Sequence, residues 1–348
     1  MIWLTARQFR AQALAAVAVL AAAALYFLIT GLQMHHTYTA DLISCTPQND
    51  CDGVLRQLPE TYNAAFHLLQ LLVLAAPALV GIFWGAPLVA REIETGTNQL
   101  AWNQSVTRTR WLAVKLTAVA AASIAAAGLL SYLMTWWARP LDAINGNRFD
   151  ALTFATRDIV PLGYAAFAFA LGTLAGLILR RTIPAMAVTL AVFIGIQILV
   201  PTAIRPNLLS STTVTFPVNQ ATASQANGVY MGRGGAEVYI AGLPIPQGAW
   251  TVSAPPIKDS AGHIVAASAH LNCFPGPGPG AGPGAVKAGG PDFAQIGACL
   301  ANYDLHETIT YQPASHYWPL QWYETGMFVA LAGLLSCACF WWIRRRQN

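Results

Sequence analysis

The sequence predicts an all-α polytopic membrane protein: six transmembrane helices, both termini in the cytoplasm, and a large extracellular loop between helices five and six. Three observations predict it. The 348 residues are 55% hydrophobic and only 10% charged, where soluble domains carry about 25% charged residues. The apolar residues gather in six runs, each close to the roughly 20 residues that cross a bilayer. If those runs alternate in direction, the clustered basic residues fall on one side and four of the cysteines on the other.

The runs lie at Ala13–Leu32, Phe66–Ala90, Leu112–Trp137, Ile159–Leu179, Ile183–Ile204 and Leu320–Ile343. Lipid offers a free backbone amide no partner, so each run must satisfy its own hydrogen bonds as a helix. Alternation of the barrel type is absent, and Ala/Leu/Val-rich stretches such as Ala118–Leu130 favour helix. Residues 1–12 mix Ile2, Trp3, Leu4 and Phe9 with Arg7 and Arg10, the pattern of an amphipathic helix on the membrane surface. A signal peptide is the competing reading; the apolar run is long for one, which favours a retained span. The chain then divides into residues 13–204 (five spans, with a polar segment at 91–111), an outer loop at 205–319, and a last span with a basic tail at 320–348.

Arg7 and Arg10, the group Arg91, Arg108, Arg110 and Lys115, the pair Arg180-Arg181, and Arg344-Arg345-Arg346 all share one side. The positive-inside rule makes that side the cytoplasm of a multi-pass plasma-membrane protein. Cys45, Cys51, Cys273 and Cys299 then lie outside, where disulfides persist. Pairings Cys45–Cys51 and Cys273–Cys299 are expected, although four cysteines allow three arrangements. Cys337 and Cys339 read as packing thiols within the last span.

Several loop residues invite functional readings that simpler ones outweigh. His35 and His36 read as residues at a span end rather than metal ligands. Trp136-Trp137, Arg157 and Asp158 read as interfacial anchors, and Glu324 as a carboxylate snorkelling to the interface. Gly172-x-x-x-Gly176 is a small-residue contact pattern, and Pro77, Gly81, Gly85 and Pro87 mark a bend or close packing in span two. The outer loop has strand-like pieces at Thr212–Val218 and Val229–Ile240, then a Pro/Gly-rich stretch at Phe274–Pro291 that reads as a flexible excursion. His263, His270 and Cys273 could suggest metal, but an oxidised Cys273 argues against it, and no metal is expected.

Known catalytic patterns are missing. There is no G-x-x-x-x-G-K-[ST] to cradle phosphate, and no G-x-S-x-G or H-E-x-x-H. The span centres lack the acids that proton-coupled carriers use. The chain is therefore not expected to be an enzyme or to power transport itself, and nothing suggests nucleic acid.

The polar island Arg91–Leu116 supplies the positive signal. Arg91-Glu92-Ile93-Glu94-Thr95-Gly96-Thr97, then Ser105-Val106-Thr107-Arg108, Arg110 and Lys115, resembles the cytoplasmic loop of ABC-2 type ABC transporter permeases. There the pattern is RE-x-E-x-GT, an SR-like turn and a GK-like start to the third span. This chain departs by lacking a proline before the turn, by carrying Val114 before Lys115, and by its long outer loop. Its Ala-rich composition resembles the actinobacterial, drug- or antibiotic-exporting members.

The resemblance implies six helices of the type V exporter-like kind. It implies an ATP-driven exporter whose ATPase is a separate subunit carrying ATP and Mg, with no cofactor on this chain, and a second permease subunit completing a homodimer. Arg91, Glu92, Glu94, Gly96, Thr97, Arg108 and Arg110 would couple to the ATPase, and Phe83, Trp84, Phe193 and Gln197 would line a path for an amphipathic drug, antibiotic or lipid-like substrate. The alternative reading is a membrane receptor or structural protein that works through its disulfide-clipped outer loop.

Overall fold

The computed structural model describes residues 10–44, 51–96, 107–226, 228–231, 237–265, 273, 285–287, 296 and 298–345. The chain forms two compact units: residues 1–208 with 317–348, and residues 209–316. The first is helical. Among the described residues, six helices are long and apolar enough to cross a membrane: Leu14–Ala40, Gln57–Glu94, Arg108–Trp137, Val160–Leu179, Thr182–Asn207 and Ala314–Arg345.

In chain order, α1 runs over Arg10–Ser44. Span two is α2 (Cys51–Val80), a single π-helical turn at Gly81–Gly85, and α3 (Ala86–Glu94). Next come α4 (Arg108–Trp137), two short helices α5 (Arg139–Asn145) and α6 (Ala151–Ala155), and α7 (Val160–Leu179). Span five is α8 (Thr182–Leu199), a second π turn at Val200–Ile204 and a 3-10 turn at Arg205–Asn207. The chain returns through the last long helix, Tyr317–Arg345, called α10 below.

Helix α7 is the hub, buried over most of its length because small residues let its neighbours approach. A methyl at Gly81 would sit 2.7 Å from the Ala168 carbonyl oxygen, and one at Gly85 2.7 Å from that of Phe169. From the other side, Gly172 faces the Gly81 backbone and Gly176 that of Ala86. The Gly172/Gly176 pattern thus packs α7 against span two, backbone to backbone, which is how membrane helices gain contact without a hydrophobic drive.

The connection at residues 138–157 is not the polar surface loop its composition suggests. Leu141, Phe149 and Phe154 are buried. Arg157 is buried too, donating to the Met134 carbonyl at 2.6 Å and to Asp142 at 3.1 Å, so it is an internal strut and not an interfacial anchor. Burial pushes the Asp142 carboxyl up, and the neighbouring Arg157 opposes that shift. Asp158 holds a left-handed backbone (φ 53°) and accepts from the Tyr317 hydroxyl at 2.6 Å. Trp137 is likewise no surface anchor. Its ring is buried and its indole donates to the Thr30 hydroxyl at 2.9 Å, with room made by Gly31. His35 stacks on Trp136.

The all-α expectation holds for this unit alone, since the second unit is built on strands. Strand β1 (Thr212–Pro217) precedes a short helix, α9 (Gln220–Gln225). The run expected as one strand at Val229–Ile240 contributes to two, β2 (Gly228–Met231) and β3 (Val238–Ala241), paired antiparallel. Then come β4 (Trp250–Ser253), β5 (Lys258–Asp259), β6 (Ala285–Lys287) and β7 (Leu305–Gln312). Strands β1, β4 and β5 all pair with β7, and β2 is flanked by β3 and β6. Strand β6 lies inside the Pro/Gly-rich stretch, so Ala285–Lys287 belongs to a sheet rather than to a flexible excursion.

Cys273 and Cys299 are joined by a disulfide beside a core of Val238, Ile240, Ile257, Leu300, Leu305 and Ile309. Cys45 lies outside the described residues, so the expected Cys45–Cys51 bridge does too. So does most of the N-terminal amphipathic segment.

Candidate functional site

At the end of the helical unit that carries Arg91, Lys115 and Arg180, the polar island meets three spans. Helix α3 closes at Thr95 and Gly96; the Gly96 amide donates to the Ile93 carbonyl at 3.2 Å. Gly96 takes φ 72°, a left-handed conformation that glycine adopts without steric cost and that commonly ends helices. Thr97 and the rest of residues 97–106 lie outside the described residues.

The two acids ahead of this turn have different partners. Glu92 forms an ion pair with Lys115 of α4, whose ammonium also lies 4.6 Å from the centre of the Trp111 ring. Lys115 is buried, with 4% exposure, so removing either partner would strand a charge. Glu94 reaches a different span. Its Oε2 accepts from the Thr182 amide at 3.2 Å and the Thr182 hydroxyl at 2.8 Å, capping the start of α8. A carboxylate is well placed there, because the first amides of a helix are unsatisfied and the helix dipole favours negative charge.

Arg91 points to solvent. Arg108 and Arg110 occupy the first turn of α4, where Thr107 accepts from the Arg110 amide at 3.4 Å. Cations at a helix start oppose its dipole, so they are not there to stabilise that helix.

The structure does not bring the four predicted path residues together. Phe83 and Trp84 sit on the π turn of span two and line a cleft of about 350 Å³ between the first three spans. Phe193 and Gln197 do not line it. Phe193 is buried against Tyr164 of α7 in an edge-on contact. Gln197 has an amide nitrogen that makes no hydrogen bond.

Sequence reasoning missed a buried polar cluster at the opposite end. Arg205 grips Glu324 with two hydrogen bonds, Nε to Oε2 at 2.8 Å and Nη2 to Oε1 at 3.1 Å. The Tyr164 hydroxyl donates to the same carboxylate, and the guanidinium lies 4.1 Å from the centre of the Phe154 ring. Both charges have 0% exposure. Glu324 therefore does not snorkel; it faces inward and joins α10 to spans four and five. One turn earlier, Gln321 accepts from the Val160 amide at 3.2 Å. The signal in the sequence was opposite charges at matching ends of two spans flanking one loop, since an intramembrane charge needs a named partner.

Among the described residues, no group of His, Cys, Asp and Glu is arranged to hold a metal. His263 pairs with Asp259 on the surface.

No curated protein and no solved structure matches the chain. A family model described as ABC-2 membrane transporter related matches residues 17–205, more than half of the chain, so this multi-pass membrane protein belongs to that family and is the membrane-spanning part of a transporter.

Proposed function

We propose that the chain is the permease subunit of an ATP-driven exporter. A separate ATPase subunit, carrying ATP and Mg, docks on the segment from Arg91 to Arg110, and a second copy completes the translocation unit in the plasma membrane. The substrate is amphipathic (a drug, an antibiotic or a lipid-like molecule) and moves outward. In this reading the basic end of the bundle faces the cytoplasm and the strand unit lies outside.

The observation that carries the proposal is the pair of acid contacts. One short segment holds α4 through Glu92 and α8 through Glu94, and its own helix continues into span two. A push on it is felt by three spans at once. That is what a power stroke delivered from outside the membrane requires, because an external ligand shifts a conformation only through contacts that differ between the two states. Arg91, Arg108 and Arg110 remain for the partner's acids or for lipid phosphate.

The test is a pull-down of the tagged full chain in mild detergent, followed by an ATPase assay. Glu92→Ala/Glu94→Ala is expected to bring co-purifying ATPase activity to background. Thr182→Val leaves the Glu94 carboxylate in place but removes a contact to α8, so the ATPase should still bind while export falls. ATPase recovery unchanged by the double variant would reject the docking assignment.

A further inference from the structure

We infer that the cleft beside the π turn of span two holds one acyl chain of a bilayer phospholipid. Its walls come from α1 (Ala15, Val19), span two (Leu72, Leu79, Trp84) and α4 (Ala127) among others. The indole nitrogen of Trp84 is the one side-chain heteroatom in that lining. All three elements are segments long and apolar enough to cross a membrane, so the cleft opens at a depth where water and soluble partners are absent. Val19, Leu79 and Phe83 are 60%, 47% and 53% exposed, which leaves one side open to the membrane.

The dimensions choose among membrane occupants. A methylene takes up about as much room as a water molecule in the liquid, roughly 30 Å³, so the 350 Å³ cleft holds about a dozen. Leu72 to Trp84 spans about 18 Å along the helix axis at the usual rise. The cleft volume spread over that length leaves a mean cross-section of about 20 Å². That is the width of a single extended hydrocarbon chain. A helix from a second copy, about 10 Å across, needs a section several times larger.

Small residues create the space. Ala15, Ala16, Ala76, Ala126 and Ala127 all face it, where larger side chains would close it. The π turn supplies the rim, since its extra residue brings Phe83 and Trp84 to the cleft while Gly81 and Gly85 stay against α7. Such turns are rare and gather at functional sites.

The full chain in phosphatidylcholine nanodiscs, doped with phosphatidylcholine carrying a diazirine in mid-chain, tests this by photolabelling and peptide mapping. Labelling at Leu79–Trp84 is expected to exceed by several-fold that at Leu334, a 67% exposed residue of α10. Ala76→Phe, or the milder Ala16→Leu if the first does not fold, should bring the cleft signal to the Leu334 level without changing the latter. Equal labelling of the two sites, or a cleft signal that survives filling, would overturn the proposal. Dimers cross-linked through Phe83→Cys and absent in the parent protein would also overturn it, giving the cleft to a second copy.

Discussion

Glu324 and Glu307 are both fully buried, and their surroundings could hardly differ more. Glu324 lies in the helical unit, where Arg205 forks onto both its oxygens and Tyr164 adds a donor. Glu307 lies on β7 of the strand unit, on the same face as Leu305 and Ile309 and across from Phe216. Neither of its carboxylate oxygens makes a hydrogen bond. Burial pushes the Glu307 carboxyl up to about 7. The contrast shows two ways to keep a carboxyl in an apolar interior: supply its charge with partners, or hold its proton. The first is rigid and hard to change; the second responds to pH.

Breaking the partnered site should have the largest effect. Arg205→Ala leaves Glu324 stranded, as Glu324→Ala leaves Arg205, and each is expected to cost about 3–5 kcal/mol, read as a large fall in the unfolding temperature of the detergent-solubilised chain. Replacing Arg205 by Met, Glu324 by Leu and Tyr164 by Phe together should recover most of that loss, because no orphan charge remains. If the triple variant is as unstable as the singles, the cluster contributes through something other than charge pairing.

The unpartnered site should give an intermediate, pH-dependent effect. The Glu307 carboxyl holds its proton to about pH 7 in the folded chain and loses it near pH 4.3 when unfolded. Folding therefore takes up a proton between those values. The stabilisation is complete below the unfolded value and is lost as pH rises through 7, on the order of 3 kcal/mol in all. Calorimetry from pH 5 to 8 should show the strand unit weakening as pH rises, and Glu307→Gln should flatten that slope. A Gln variant with an unchanged slope would mean that another group titrates.

The smallest effect belongs to a pair that is not buried. His263 and Asp259 lie 3.4 Å apart with exposed side chains, so water screens them. His263→Ala should leave the unfolding temperature within measurement error; a clear drop would show that exposure is a poor guide to the worth of these contacts.

The sequence made the spans legible because hydropathy over some twenty residues is a strong local signal. All six predicted runs overlap the helices described. It also exposed the polar island, since charges between apolar runs stand out. What it hid was long-range pairing. Glu324 read as a residue at a span end because Arg205 is far away in sequence and belongs, on paper, to a loop. Trp137 read as an interfacial ring because nothing local reveals Thr30 and Gly31 across the bundle. The strand unit was half visible: β1 showed as an apolar–polar alternation, whereas Ala285–Lys287 sat in a composition that favours no strand and gains one by pairing with β2. In the coupling segment the acids were legible and their partners, Lys115 and Thr182, were not.

The π turn at Gly81–Gly85 sets the angular phase of everything that follows it in span two. A π turn is an α-helix carrying one residue too many, and each residue turns the helix by about 100°. Deleting Ile82 would let the ladder close as ordinary α-helix and swing α3 about its axis. Glu92 and Glu94 would then look away from Lys115 and Thr182, though no charge had been altered. The aim of these acids is thus stored a full two turns upstream, in the count of residues between two glycines.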